Sequence, residues 1–338
     1  MSRSTVYNTI TSDESIKNIL PENRDLTMDF LDYLKSIDRA QTTINAYHHD
    51  LNIFFVWNEE NNRNKRFTEI TKREFARFQS FALNEWGWSP KRIRRVKSTI
   101  SSLSNYIENI LDEEPEYEGY RSSIRKIESP VNDVVREKTV FSAEEVENML
   151  NTLVERGEYK CACVVALAAY SGRRKAELVR FKRHYFSDEN VIFGSLYRTP
   201  EKVVTKGRGK GKLLTLYTLK PKFDPYLKLW LQELDKNGIE SEWLFPDVND
   251  PTKQMSTSII DSWYDKLTEI TGKPFYMHSL RHYLCSELVR QGLPMDVIQE
   301  LFGWADLSLV NIYNDNKAED TFGKYFGEDG IKPQKKKE

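Results

Sequence analysis

The chain of 338 residues has no apolar run long enough to cross a bilayer. The stretch Met1 to Asn23 is polar and has no apolar leader core. These two absences exclude a membrane protein and predict a soluble cytoplasmic one. Cysteine is scarce: Cys161, Cys163 and Cys285 make no CxxC pair and no disulfide framework, so reduced thiols are expected. Histidines and carboxylates do not cluster at metal-ligand spacing. No internal repeat is present, and low complexity is confined to the lysine-rich tail. Net charge is nearly absent too, at −1. That value argues against a uniformly basic nucleic-acid binder, but the distribution of charge matters more than its sum.

Charge is in fact strongly segregated. Lys91, Arg92, Arg94, Arg95 and Lys97 crowd one run. Lys202, Lys206, Arg208, Lys210, Lys212, Lys220 and Lys222 form a second, with no acid among them. Acids gather between Asp112 and Glu118 and between Glu144 and Glu147. A polarised surface results, with basic faces offset by acidic ones.

The length predicts two domains. A flexible N-terminus is expected over 1–24, followed over 25–111 by a helical domain. There Phe30, Tyr33 and Leu34 share a helical stripe, as do Thr43, Tyr47, Leu51, Phe54 and Phe55. Thr71 and Glu74 form a capping box. Ser89-Pro90 opens the helix that carries the first basic run, whose Ile93, Val96, Ile100 and Leu103 face inward. Residues 112–137 are acidic, contain Pro115 and Pro130, and read as an interdomain linker.

The second domain is expected over 138–326, with a disordered basic tail over 327–338. Ser142 and Glu145 cap its first helix, and Cys161 to Tyr170 reads as a buried helix. Strands are predicted at Val191–Phe193, Lys202–Thr205 and Leu213–Tyr217, the last two joined by the glycine-rich turn Lys206–Lys212. Leu227–Leu234, Ile259–Ile270 and Leu280–Arg290 read as helices. Pro294 opens another that runs to Gly303, and a last helix carries Val310, Ile312 and Tyr313.

Three segments carry the chemistry. Ser171-Gly172-Arg173-Arg174-Lys175-Ala176-Glu177-Leu178 places arginine at a turn between helices. In His278-Ser279-Leu280-Arg281-His282, His278 and Arg281 are three apart and share a helix face. Gly303-Trp304 is followed, nine residues after Trp304, by Tyr313. The ordered set resembles the tyrosine recombinase (phage integrase) family, whose pattern is Gly-x-Arg-x-x-Glu-Leu, a hairpin lysine, His-x-x-Arg, Gly-His or Gly-Trp, and a tyrosine nine residues on. Trp304 stands where histidine is commoner, and Arg173 where the family commonly has an apolar residue. The resemblance, diffuse in the N-terminal helices, covers roughly residues 25 to 325. It implies a mainly helical fold with a small antiparallel sheet: an all-helical core-binding domain and an α+β catalytic domain closing around duplex DNA as a C-shaped clamp.

The resemblance also implies roles. Arg174 and Arg281 would grip the non-bridging oxygens of a phosphodiester and stabilise the transition state. Tyr313 would be the nucleophile; a phenol ordinarily titrates near ~10 and two arginines favour its ionised form. His278 would take its proton or hold the phosphate, and Trp304 would donate its indole N–H and buttress Tyr313. A hairpin lysine would protonate the leaving 5′-oxygen, with Lys206 the first choice and Lys210 its rival. Glu177 and His282 would support their catalytic neighbours. The product would be a 3′-phosphotyrosine, needing neither metal nor ATP to reverse. Thr43, Arg92, Arg95, Lys97, Arg208 and Lys210 are candidate DNA contacts, and the 25 leading residues are too few for a full arm-binding domain. The resemblance implies a dimer on each core site and a tetramer in synapsis, and allows accessory DNA-bending factors. Beside an integrase-like site-specific recombinase stand a type IB topoisomerase, a resolvase of chromosome or plasmid dimers, and a DNA-binding protein that kept the fold without the chemistry.

Overall fold

The computed structural model describes residues 10–131, 138–205, 211–316, 326–327 and 330–331. The chain divides into two compact units, one ending at Arg136 and the other beginning at Glu137. Each has its own hydrophobic core.

The first unit is helical: α1 (Asp13–Lys17), α2 (Pro21–Ser36), α3 (Gln41–Asn61), α4 (Lys72–Asn84) and α5 (Pro90–Ile110). The caps read from sequence close as expected. Thr71 and Glu74 exchange hydrogen bonds at the start of α4, and Ser89 Oγ accepts from the Arg92 N–H beside Pro90. The core is aromatic. Phe54 stacks on Phe75 at 5.6 Å and meets Phe78 edge-on at 5.0 Å. Each such side chain contributes about 1.5–3 kcal/mol through the area it buries.

Two expectations need correction. Residues 10–24 are not a loose leader: Ser12 and Ser15 form a capping box for α1, Pro21 opens α2, and Ile19 and Asn23 are buried. The buried Asn23 accepts from the Phe67 N–H and donates to the Lys65 carbonyl, a pairing too distant in sequence to be foreseen. Nor is the segment after α5 free of the domain. Tyr117, Tyr120 and Ile124 pack on the first core, the Ser122 N–H donates to Glu108, and Arg125 pairs with Glu108.

The second unit contains α6 (Ala143–Glu155), α7 (Tyr159–Ser171), α8 (Lys175–Leu178), β1 (Val191–Ile192), β2 (Leu196–Arg198), β3 (Val203–Thr205), β4 (Lys212–Leu214), β5 (Tyr217–Leu219) and α9 (Lys220–Lys236). It continues with α10 (Thr257–Ser262), α11 (Tyr264–Thr271), α12 (Met277–Arg290), α13 (Met295–Phe302), α14 (Ser308–Tyr313), β6 (Phe326–Gly327) and β7 (Gly330–Ile331). Helix α7 is apolar on all sides because it is the centre: every residue from Cys161 to Ser171 is buried, and α6, α9 and α12 pack around it. The three cysteines are free and buried.

The fold is thus mainly helical with small antiparallel sheets, as expected, but the strands differ. Leu213–Tyr217 is not one strand. Its first part pairs with β3, Thr205 opposite Lys212, while β5 begins at Tyr217 and pairs with β2, Leu196 opposite Leu219. Strand β2, unforeseen, holds the sheet order β1-β2-β5 together. Ile259–Ile270 breaks at Trp263 into α10 and α11. The segment expected to be a disordered tail begins with a short antiparallel pair, Phe326 opposite Ile331 and Gly327 opposite Gly330. No helix among the described residues is long and apolar enough to cross a membrane.

Candidate active site

The site is built where α7 ends. Gly172 caps that helix at φ +62, a conformation that disfavours any side chain. A Cβ there would lie 2.4 Å from Cε1 of Phe302, so glycine is required for space as well. The two arginines that follow have different surroundings. Arg173 is 1% exposed and donates to the carbonyls of Leu301 and Phe302, the last of α13. It satisfies carbonyls that the helix cannot bond internally. Arg174 keeps a side chain 36% exposed and is oriented by buried Glu177. One Glu177 oxygen accepts from the Arg174 guanidinium at 3.2 Å, the other from its backbone N–H at 3.1 Å.

Helix α12 supplies the next groups. Arg281 is 1% exposed and donates Nη1 to the carbonyl of Gly172 at 2.5 Å. Its Nε and Nη2 have no hydrogen-bond partner among the described residues. Three rings wall the guanidinium: Phe302 at 4.8 Å, Trp304 at 5.0 Å and Tyr313 at 5.3 Å. Burial pulls its pKa down, and the charges of Arg174 and Arg173 add to the effect. A guanidinium nonetheless stays protonated at neutral pH. Three arginines against one buried carboxylate leave the pocket electropositive.

Gly303, at φ +65, ends α13 and delivers Trp304, which is 6% exposed with its indole N–H unpartnered among the described residues. Trp304 stacks on Tyr313 at 4.9 Å and 24°. On α14, the Tyr313 hydroxyl lies 2.8 Å from His278 Nε2. Burial lowers the His278 pKa to about 4, helped by His282, Arg281 and Arg174. At neutral pH the imidazole is therefore uncharged. With its proton on Nδ1 it accepts the phenol's hydrogen at Nε2.

Around this pair lie His282, expected from the sequence as a supporting residue, and two groups the sequence did not mark, Asp315 and Lys138. The His282 ring sits 4.7 Å from Tyr313, and its Nδ1 is 3.0 Å from Oδ2 of Asp315. Neither atom makes a hydrogen bond with another described residue. Burial alone would raise the Asp315 carboxyl, but His282 and Lys138 hold it below the usual carboxylate value. The hairpin residues Lys206, Arg208 and Lys210 lie outside the described residues. Strands β3 and β4 end on either side of them.

Residues 139–320 match the phage integrase family. The chain belongs to that family. It is a tyrosine recombinase, a site-specific recombination enzyme. The SPbeta prophage-derived recombinase-like protein YomM of Bacillus subtilis (strain 168) is 34% identical over 260 residues, 76% of this chain and 75% of that protein. A tyrosine recombinase of Thermosipho africanus (strain TCF52B) is 26% identical over 296 residues, covering 84% of this chain and 92% of that one. The XerH site-specific recombinase bound to palindromic difH substrate shares the fold with a TM-score of 0.65 at 17% identity, over 95% of this chain and 90% of that one. A lambda integrase dimer bound to a COC′ core site gives 0.61 at 14% identity, over 87% of this chain and 96% of the other.

In the recombinase's first unit the basic residues of α5 have separate engagements. Arg92 stacks over Trp88 at 4.1 Å. Arg95 binds buried Asp50 at 2.5 Å yet remains 55% exposed, while Thr99 meets the same carboxylate at 3.1 Å. Lys97 turns inward, donating to the Ile127 carbonyl and to Ser129 Oγ. Its ammonium is already engaged, which the run of basic letters could not show. Thr43 lies in the first turn of α3, partly buried.

Proposed function

We propose that this recombinase cuts and rejoins duplex DNA through a covalent bond between Tyr313 and a backbone phosphate. The observation that carries the reading is the Tyr313 hydroxyl, 2.8 Å from His278 and beside a buried arginine with two nitrogens unpartnered among the described residues. Arg281 Nε and Nη2, the Trp304 indole N–H and the Arg174 guanidinium supply donors and charge for the non-bridging oxygens. The same donors stabilise the extra negative charge of the pentacoordinate transition state.

The phenol oxygen bonds to phosphorus, its proton passes to His278, and the bond from phosphorus to the 5′-oxygen breaks. The leaving 5′-oxygen takes a proton from the hairpin lysine, Lys206 by preference and Lys210 otherwise. The DNA is left with a 3′-phosphotyrosine. A 5′-hydroxyl reverses the step without metal or ATP, because the phosphoester is conserved. Arg92, Arg95 and Thr43 in the first unit, with Arg208 and Lys210 of the glycine-rich turn, contact the duplex. The protein works on DNA in the cytoplasm of a prokaryotic host, as a dimer on each core site and a tetramer in synapsis. The likeness to a prophage-derived protein favours integration or excision of a mobile element. Relatives from Chlamydia named XerC favour, as the second reading, resolution of chromosome or plasmid dimers.

The test uses duplexes with a randomised centre, from which those trapped as SDS-stable protein adducts are recovered. Wild-type protein is expected to form the adduct in EDTA, while Tyr313→Phe binds the same duplexes and forms none. An adduct with Tyr313→Phe, or strict dependence on a divalent metal, would overturn the mechanism.

A further inference from the structure

Helix α14 is poorly anchored by its apolar side. It is six residues long, and only Val310 is buried. Its nucleophile, however, must be placed to within a fraction of an ångström. Past Tyr313 the chain becomes extended at Asn314. From there a set of polar contacts ties it to α12 and to the first residues of the unit. The Asp315 N–H donates to Ser286 Oγ at 2.8 Å, and Asn316 Nδ2 donates to the Ser286 carbonyl at 2.8 Å. Lys138 donates to the Ile312 carbonyl at 3.2 Å and reaches Asp315 Oδ1 at 3.4 Å. The Asp315 side chain, 7% exposed, has its other oxygen against His282, whose ring lies on Tyr313.

We infer that Asp315 is a positioning residue for the nucleophile: its carboxylate, held between Lys138 and His282, sets the ring of His282 against Tyr313 and fixes the end of α14. The inference rests on the proposed attack by Tyr313. It assigns Asp315 no contact with the phosphate. The carboxylate acts through its neighbours: Lys138 ties the backbone carbonyl next to Tyr313, and His282 lies against the phenol ring on which Trp304 also stacks. Removing the charge leaves Lys138 and His282 without their common anchor, while the contacts of Arg174 with Glu177, of Arg281 with Gly172 and of Trp304 with Phe302 involve neither Asp315 nor Tyr313.

That separation gives the experiment. Full-length wild type, Asp315→Asn, Lys138→Met and Tyr313→Phe are compared on a duplex recovered from the randomised pool. The first readout is the rate of SDS-stable adduct formation. The second uses the same duplex carrying a 3′-p-nitrophenyl phosphate at the cut position. There a 5′-hydroxyl attacks phosphorus and p-nitrophenolate leaves, a step that needs the phosphate pocket but not Tyr313. Asp315→Asn is expected to slow adduct formation about 10- to 100-fold, with joining of the activated strand within about twofold of wild type. Lys138→Met is expected to move the same way by a smaller factor, since that side chain is 54% exposed. If Asp315→Asn fails to fold, Lys138→Met carries the test. Equal loss of both reactions, or an unchanged adduct rate, would overturn the inference. An adduct with Tyr313→Phe would instead overturn the proposed attack itself, whatever Asp315 does.

Discussion

At the scale of single residues, the site is a contest between burial and charge. Arg281 sits in a pocket that disfavours cations, and in the proposed mechanism its unpartnered N–H groups receive the phosphate. Lysine there would keep the charge and lose the planar fork. Arg281→Lys is therefore expected to lower the rate of adduct formation by about 100-fold or more with little change in duplex affinity, measured by filter binding beside adduct assays. Equal loss of affinity would mean the group serves binding alone. His278 gives a pH signature. Its folded pKa, about 4, lies below the unfolded value of 6.5. The unfolded state binds the extra proton between those values, so the contribution to stability is complete above 6.5 and is lost as pH falls toward 4. His278→Gln should flatten the stability curve over that window, measured by urea denaturation at several pH values. An unchanged slope would contradict the assignment. The residues that give these effects were legible because their spacing is tied to the chemistry. Arg173 and Asp315 were not: one looks like Arg174 beside it and the other belongs to no spacing rule. Only burial and partners distinguish them.

At the scale of elements, capping chemistry and apolar periodicity were readable and pairing was not. Ser142, Thr71 and Ser89 announce their helices because each cap is local. The run Leu213–Tyr217 looks like one strand, yet β4 and β5 find different partners, and no property of the run itself decides that. Gly172 shows how one local choice serves several elements. It ends α7, accepts from Arg281 and makes room for Phe302, against which Trp304 stacks at 4.4 Å. Gly172→Ala must displace the Phe302 ring and bear positive φ. It is expected to cost about 1–3 kcal/mol in urea denaturation and to reduce adduct formation as well. A variant of wild-type stability would show that Phe302 yields freely.

At the scale of the molecule, a chain of net charge −1 acts on a polyanion because its charges are segregated. Affinity for duplex DNA should fall steeply with salt, each neutralised phosphate contributing about −0.9 to the slope of log K against log salt. Arg92→Ala should reduce that slope by about one and weaken all sequences alike. An unaltered slope would remove α5 from the interface. The two-unit organisation was foreseeable from length and from the acidic, proline-bearing stretch. Which unit this stretch packs on was not, because Tyr117, Tyr120 and Ile124 are too sparse to show a period.

The most direct test of the central claim is chemical. Wild-type protein trapped on DNA is digested with nuclease and trypsin, and the peptide bearing a residual nucleotide is identified by mass. The account predicts the peptide Gln291–Lys317, in which Tyr313 is the only tyrosine, joined to a 3′-phosphate. A nucleotide on any other residue, or a linkage to a 5′-phosphate, would contradict it.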